Sequence, residues 1–153
     1  MAQTRRNGFT MIELLVIIAI MGLVLALASP RVHRLLPGVA LRTGAADLAA
    51  ALRSTRASAM RRGERADLVL DLANGLYRWP SGKGEAHFPS GIEIEALTDR
   101  SAIDESARRA AFAFFPDGTA AGGVILLRRS GSGEGERVAI DWLTGRVAVE
   151  PIE

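Results

Sequence analysis

Residues 5–28, RRNGFTMIELLVIIAIMGLVLALA, decide the fold of this chain, because they place one carboxylic acid inside an otherwise apolar segment. The 20 residues from Phe9 to Ala28 would form a helix of about 30 Å, which matches the hydrocarbon core of a bilayer. A charged side chain at membrane depth costs at least about 2.5–3.5 kcal/mol, so the acid, Glu13, requires a functional reason. The segment predicts a membrane-spanning helix that carries a functional carboxylate near its start.

Glu13 has no cationic partner within its own apolar stretch. Arg5 and Arg6 lie eight and seven residues upstream, which is more than one helical turn away. If the chain were cut after Gly8, a new α-amine would appear on Phe9, four residues before Glu13 and on the same helix face. Paired with the amine of a neighbouring subunit, this carboxylate would set the register between helices more than it would add bulk stability.

Residues 8–14, GFTMIEL, resemble the class III signal of type IV prepilins and type II secretion pseudopilins. The resemblance implies cleavage after Gly8 by the prepilin peptidase on the cytoplasmic side of the membrane. It further implies N-methylation of Phe9 and use of Glu13 in docking the subunit into a helical filament. The prepilin peptidase and the inner membrane are therefore expected partners.

Other N-terminal signals compete with this interpretation. Residues 26–28, ALA, offer the cleavage site of a secretory signal peptide, but the apolar run is long for such a signal and Glu13 would have no purpose. A plain signal anchor fits the length equally well and also leaves the acid unexplained. Arg5 and Arg6 are only a weak match to a twin-arginine export signal.

Charge and cysteine content exclude several classes of function. Removing residues 1–8 takes away Arg5 and Arg6 and leaves 17 of the 19 basic residues against 17 acidic ones, so the mature chain is close to neutral. Nucleic acid is therefore not expected as a partner unless a local basic patch exists. The absence of cysteine rules out both a disulfide framework and a thiolate site.

The segments after the apolar run predict a stalk and a globular domain. We divide the chain into a leader at 1–8, a transmembrane or filament-core helix at 9–29, an amphipathic helical stalk at 30–63 and a periplasmic β-rich domain at 64–153. Pro30 and Pro37 predict a kink or break between residues 29 and 38.

One face of the stalk is apolar at helical spacing and is expected to pack on the globular domain. Its members are Leu41, Ala45, Leu48, Leu52, Thr55 and Ala59. The arginines on the opposite side are expected to face solvent. Gly63 is the predicted C-terminal end of the helix.

Short apolar runs separated by turn signals follow Gly63 and predict antiparallel strands. The predicted strands are 66–72, 76–79, 92–97, 111–115, 123–128, 137–142 and 146–149. Residues 98–110 are expected to form a loop or a short helical turn, and residues 130–136 a mobile glycine-rich loop. The predicted fold class is α+β: a long N-terminal helix, half membrane-spanning and half amphipathic, packed on an antiparallel β-sheet or sandwich.

A second part of the chain carries a resemblance of its own. Residues 114–119 (FFPDGT), 122–123 (GG) and 138–147 (VAIDWLTGRV) resemble the closing strands of the GspH/FimT family of minor pseudopilins and pilins. The resemblance implies a pilin-like fold, and a hetero-oligomeric filament with other minor and major pseudopilins as partners.

The chain offers little material for catalysis. His33 and His87 are the only histidines and lie in different segments, and no nucleophile, metalloprotease or phosphate-loop motif occurs. We therefore expect no enzyme activity, no cofactor and no metal site.

The leading hypothesis is a minor pseudopilin near the tip of the periplasmic pseudopilus of a type II secretion system, supporting export of folded proteins. The expected location is the inner membrane, with a single span and the C-terminal domain in the periplasm. One alternative is a FimT-like type IV minor pilin, in which the pairs Arg108-Arg109 and Arg128-Arg129 could contact DNA. Another is a membrane-anchored periplasmic binding module without a filament.

Overall fold

A computed structural model of the chain describes residues 10–27, 37–80, 84–98, 103–104 and 108–152. The chain divides into two compact units, Met1–Leu36 and Pro37–Glu153. Most of the predicted break between residues 29 and 38 lies outside the described residues.

Among the residues that the structure describes, each compact unit contains one helix. Helix α1, Met11–Leu27, belongs to the first unit. Helix α2, Pro37–Arg62, opens the second unit with a proline, which suits a first helical position because its missing N–H would have no intrahelical acceptor there. Gly63 follows α2 with a φ of 68° and donates its amide to the carbonyl of Ala59 at 3.0 Å, so the predicted end of the helix is confirmed.

The predicted apolar face of α2 is confirmed as the buried face. Leu48 and Leu52 are fully buried, and the other four members of the predicted stripe are at most 3% exposed. Thr55 is the one polar member, and its hydroxyl is satisfied because it donates to the carbonyl of Ala51 at 2.8 Å. The helix therefore presents a continuous surface that can pack on the sheets.

Nine strands follow α2 in the described part of the chain. In chain order they are β1 Ala66–Asp71, β2 Leu76–Arg78, β3 Glu85–His87, β4 Ile92–Leu97, β5 Ile103–Asp104, β6 Arg109–Phe114, β7 Gly123–Arg129, β8 Gly135–Ile140 and β9 Val147–Ile152.

The strands form two sheets in which every pair is antiparallel. The first sheet has the order β3-β2-β1-β6-β5 and the second the order β4-β7-β8-β9. Helix α2 contacts β1 and β6 of the first sheet and β7, β8 and β9 of the second. The predicted α+β class with antiparallel sheets is thus confirmed.

The core lies where α2 meets both sheets. Phe112 and Phe114 of β6 are its largest fully buried side chains, at most 1% exposed. Leu68 of β1 and Ile125 of β7 are also fully buried, so both sheets contribute to one apolar cluster. At about 1.5–3 kcal/mol for each large apolar side chain, this burial is the main stabilising term of the second unit.

Apart from strand ends that shift by up to three residues, including that of β8, which ends at Ile140 and not at Trp142, the structure departs from the predicted strands in three places. Strand β3 was not predicted, and the segment 98–110, predicted as a loop or helical turn, contains β5 and the start of β6. Both missed strands are edge strands of two or three residues, too short to show an alternating pattern. The third departure is Gly135, assigned to a loop but buried in β8, where an added Cβ would lie 2.7 Å from Ile152.

Candidate assembly surface

Helix α1 begins with a capped first turn. The Thr10 hydroxyl accepts a hydrogen bond from the Glu13 amide at 3.3 Å, and the Thr10 carbonyl accepts from the amides of Glu13 and Leu14 at 3.1 and 3.2 Å. Thr10 and Glu13 thus occupy the two positions of a capping box, with the acid at the positive end of the helix dipole. Glu13 therefore lies at a position where an acid favours the start of a helix.

Large apolar side chains cover every side of α1 and are exposed. Their exposed fractions run from 42% at Ile17 to 87% at Met11. A helix that is apolar all round is typical of a protein interior or a lipid environment. Helix α1 therefore has a surface that requires an apolar partner.

No helix within the described ranges is long and apolar enough to cross a membrane.

Of the three predicted assembly residues, only Glu13 is described by the structure. Gly8 and Phe9 lie outside the described residues, so the cleavage site and the new amine stay predictions. Glu13 is exposed, and no ion pair among the described residues includes it.

Two arginines of α2 fasten the helix to distant turns of the second unit. The Arg53 guanidinium donates to the carbonyl of Val147 at 3.1 Å, and Arg56 Nε donates to the carbonyl of Gly118 at 2.9 Å. Arg53 is exposed, as expected, whereas Arg56 is half-buried, and each also satisfies a backbone acceptor, one at the start of β9 and one in the turn after β6. The acceptors lie 94 and 62 residues away in sequence, so no local pattern could have identified them.

Arg56 lies between two glycine turns. Gly118 has a φ of 86° and Gly145 a φ of 60°, and both conformations favour glycine. A Cβ added at Gly145 would lie 2.3 Å from the carbonyl oxygen of Gly118 and 2.7 Å from Arg56 Nε. The two turns therefore touch backbone to backbone, and only glycine permits this approach.

The β8–β9 turn, residues 141–145, is fixed by Asp141 at its start. The Asp141 carboxylate accepts hydrogen bonds from the Thr144 hydroxyl and amide, both at 2.7 Å, and these bonds hold the pKa of Asp141 below its usual range. The Gly145 amide donates to the Asp141 carbonyl at 2.8 Å. The turn is a rigid support for the two side chains at its tip, Trp142 and Leu143, which are 66% and 59% exposed.

A buried carboxylate fixes the β1–β2 turn. Asp71, 4% exposed, accepts from the amides of Ala73 and Asn74 at 3.2 and 3.0 Å and from the Asn74 side chain at 3.0 Å. Hydrogen bonds from Asn74, with a weaker contribution from the Arg109 guanidinium 3.4 Å away, lower the pKa of Asp71. The carboxylate therefore fixes the turn of residues 72–75 that joins β1 to β2.

The arginine pairs considered for DNA contact are partly neutralised. Arg109 lies 3.4 Å from the carboxylate of Asp71, and Arg129 lies 3.3 Å from that of Glu134. Arg108 stands in the left-handed region with a φ of 48°, and its carbonyl accepts from the Leu72 amide at 2.9 Å. One arginine of each pair therefore already has an acidic partner.

One of the two histidines, His87, is described by the structure. His87 is exposed on the edge strand β3, and His33 lies outside the described residues. Within the described part of the chain, no group of three or more potential metal ligands occurs.

Two family models match this chain, one at its N-terminus and one over most of its second compact unit. Residues 3–29 match the prokaryotic N-terminal methylation motif, and residues 44–144 match the family described as type II transport protein GspH. The type II secretion system protein H of Xanthomonas campestris pv. campestris is 28% identical over 146 residues, which cover 95% of this chain and 84% of that protein.

Two solved structures share the fold. The minor pseudopilin EpsH from the type 2 secretion system of Vibrio cholerae matches with a TM-score of 0.57 at 11% identity, covering 72% of this chain and 95% of that one. The type IV minor pilin FimU of Pseudomonas aeruginosa matches with a TM-score of 0.55 at 16% identity, covering 72% and 88%. These likenesses confirm the predicted pilin-like fold.

Proposed function

The chain belongs to the GspH family of type II transport proteins and is a minor pseudopilin, and from this premise we propose how it enters and serves a filament. It acts as a structural subunit near the tip of the periplasmic pseudopilus of a type II secretion system and supports export of folded proteins. It works by assembly and not by catalysis, with no enzyme activity and no cofactor.

The observation that carries this proposal is the surface of α1. Its apolar side chains are exposed on all sides, with a single acid in the first turn. Burial of each large apolar side chain is worth about 1.5–3 kcal/mol, whether lipid or neighbouring helices cover it. The same helix can therefore be stored in a bilayer and later packed in a filament.

Processing creates the partner of the acid. The prepilin peptidase cleaves after Gly8, and Phe9 becomes the N-methylated first residue. The Phe9 amine of one subunit then pairs with Glu13 of a neighbour, away from water, where a charge without its partner would be costly. The pair sets the register between neighbouring helices. Thr10 caps the N-terminus of the helix.

The proposal also specifies where the protein is located in the cell. Before assembly, α1 and its flanking residues anchor the chain in the inner membrane as a single span, and the C-terminal domain lies in the periplasm. The other minor and major pseudopilins are its partners in a hetero-oligomeric filament.

Two substitutions of Glu13 separate its local and assembly roles. Glu13→Gln keeps a capping-box side chain but removes the charge, whereas Glu13→Ala removes both. We expect both variants to be processed and retained in the membrane, but to co-assemble poorly with the other pseudopilins, as measured by co-purification after cross-linking.

Thr10→Ser is the matched control, because serine keeps the cap and should leave assembly unchanged. Wild-type co-assembly of Glu13→Gln would show that the charge is not the assembly determinant.

A FimT-like minor pilin is the second candidate, favoured only by the shared fold with FimU. The similarity to the type II secretion system protein H of Xanthomonas campestris extends over most of both chains, and it favours a role in type II secretion over a role in a type IV pilus. Tight, salt-dependent binding of DNA to residues 31–153 would support the pilus alternative. A membrane-anchored binding module without a filament would be supported if Glu13→Ala changed neither processing nor co-assembly.

A further inference from the structure

We propose that Arg53, Arg56, Trp142, Leu143 and Arg146, which we call the docking patch, bind an acidic protein surface on a neighbouring subunit of the periplasmic assembly. The proposal rests on the pseudopilin function above, and it names the chemistry of the partner that the globular unit selects. It concerns the second compact unit and is independent of the α1 contacts.

The charge of the patch is unbalanced. Arg53, Arg56 and Arg146 line one cavity of about 350 Å³, together with Thr144, Gly145 and Val147. Among the described residues, six other arginines form ion pairs, but these three form none. The cavity therefore gathers cationic groups whose natural complement is a carboxylate from outside.

The two acids of the adjoining turns are already engaged. The Asp117 carboxylate accepts from the hydroxyl and amide of Thr119 at 2.7 and 3.0 Å, and Asp141 is held in the same way by Thr144. Asp141 attracts Arg146 electrostatically, yet its hydrogen bonds direct the carboxylate into its own turn. The acids thus shape the patch while leaving its guanidinium groups available to a partner.

An apolar anchor stands on the same turn as Arg146. Trp142 and Leu143 are 66% and 59% exposed on the turn that also supplies Arg146. The Trp142 carbonyl accepts from the Ala120 amide at 2.9 Å, which fixes the backbone beneath the exposed ring. Tryptophan and arginine are the residues that most often dominate binding energy at protein interfaces, and a fixed backbone lowers the ordering cost.

The composition of the patch favours a protein over a membrane or DNA. Recognition of anionic lipid headgroups uses clusters of about four to eight Lys and Arg residues, whereas three arginines line this cavity. Duplex DNA requires an extended basic stripe, whereas three arginines around one cavity fit a single acidic side chain.

The test places a photo-reactive amino acid at Leu143 of the full-length chain, co-expressed with the other pseudopilins of its system. We expect a cross-link to one of these proteins. The yield should fall at least about tenfold in Arg146→Glu, whose guanidinium makes no hydrogen bond or ion pair among the described residues, and by roughly 30-fold in Trp142→Ala, because both remove interface determinants.

Arg62→Glu is the matched charge control, because Arg62 is exposed and lies nine residues after Arg53, half a turn out of phase on the helix. Its cross-link yield should stay within about twofold of wild type, since the substituted side chain points away from the patch.

Four results would overturn the proposal. They are cross-links to phospholipid alone, cross-links to DNA alone, an equal loss of yield in Arg62→Glu, and no cross-link in a chain that still co-assembles through α1. That last result would leave the proposed function standing. If the chain were neither processed nor co-purified with any pseudopilin, the proposed function itself would fail and the docking proposal with it.

Discussion

The contact between the two glycine turns allows a quantitative test of how the second unit is held together. Gly145→Ala adds a Cβ that would lie 2.3 Å from the Gly118 carbonyl oxygen and 2.7 Å from Arg56 Nε. Holding alanine in the left-handed region costs about 1–2 kcal/mol. The clash must also displace the acceptor of the 2.9 Å bond from Arg56, a charged hydrogen bond worth about 1.5–3 kcal/mol. We expect Gly145→Ala to lower the free energy of unfolding by about 2.5–5 kcal/mol.

Gly75→Ala is the matched control. Gly75 has a φ of 61°, almost the same as Gly145, but an added Cβ would meet no atom within 4 Å. This variant carries the backbone cost alone, about 1–2 kcal/mol. The difference between the two variants therefore isolates the contact between the turns.

The assay is urea denaturation of residues 37–153, which contain the entire described core cluster, from Leu41 to Val147. Fluorescence of Trp79, which packs against Tyr77 with ring centroids 5.6 Å apart, reports the loss of that packing. Equal destabilisation by Gly145→Ala and Gly75→Ala would refute the reasoning, because the contact with Gly118 and Arg56 would then contribute nothing.

Two further predictions concern the same unit. Leu52→Ala, at a fully buried position between α2 and the sheets, should lower the free energy of unfolding by about 2–5 kcal/mol in urea denaturation, whereas Leu97→Ala, at a position 58% exposed, should change it by less than about 1 kcal/mol. Because the pKa of Asp71 is lowered in the folded state, its contribution to stability is complete above the usual aspartate range and is lost as the pH falls below about 4. Thermal unfolding should therefore show a smaller acid-induced fall in Tm for Asp71→Asn than for wild type, and identical pH profiles would contradict this assignment.

Sequence patterns predicted the elements whose signals are local. The stripe of α2 from Leu41 to Ala59 is visible because helical periodicity places one buried face at every third or fourth residue. The turn at Asn74-Gly75 is equally visible because an Asn-Gly pair is a local turn signal. Helix α2 and the long central strands could therefore be predicted from the order of the amino acids.

Contacts between distant segments could not be predicted in this way. Arg53 and Arg56 have the same local environment in sequence as any solvated arginine, and their carbonyl acceptors belong to turns far along the chain. The edge strands β3 and β5 form through backbone pairing, which leaves no apolar alternation in two or three residues. The exposure of Trp142 could not be predicted from the sequence either, because an apolar residue in a predicted strand is expected to be buried.

Glu13 acquires its proposed partner only when the leader is removed, so the N-terminus of the mature chain is the decisive feature. The most direct measurement is mass spectrometry of that N-terminus, on protein purified from membranes that contain the prepilin peptidase. We predict a chain that begins at N-methylated Phe9. A chain that begins at Ser29, or one that retains Met1 while still assembling, would contradict the proposed pairing.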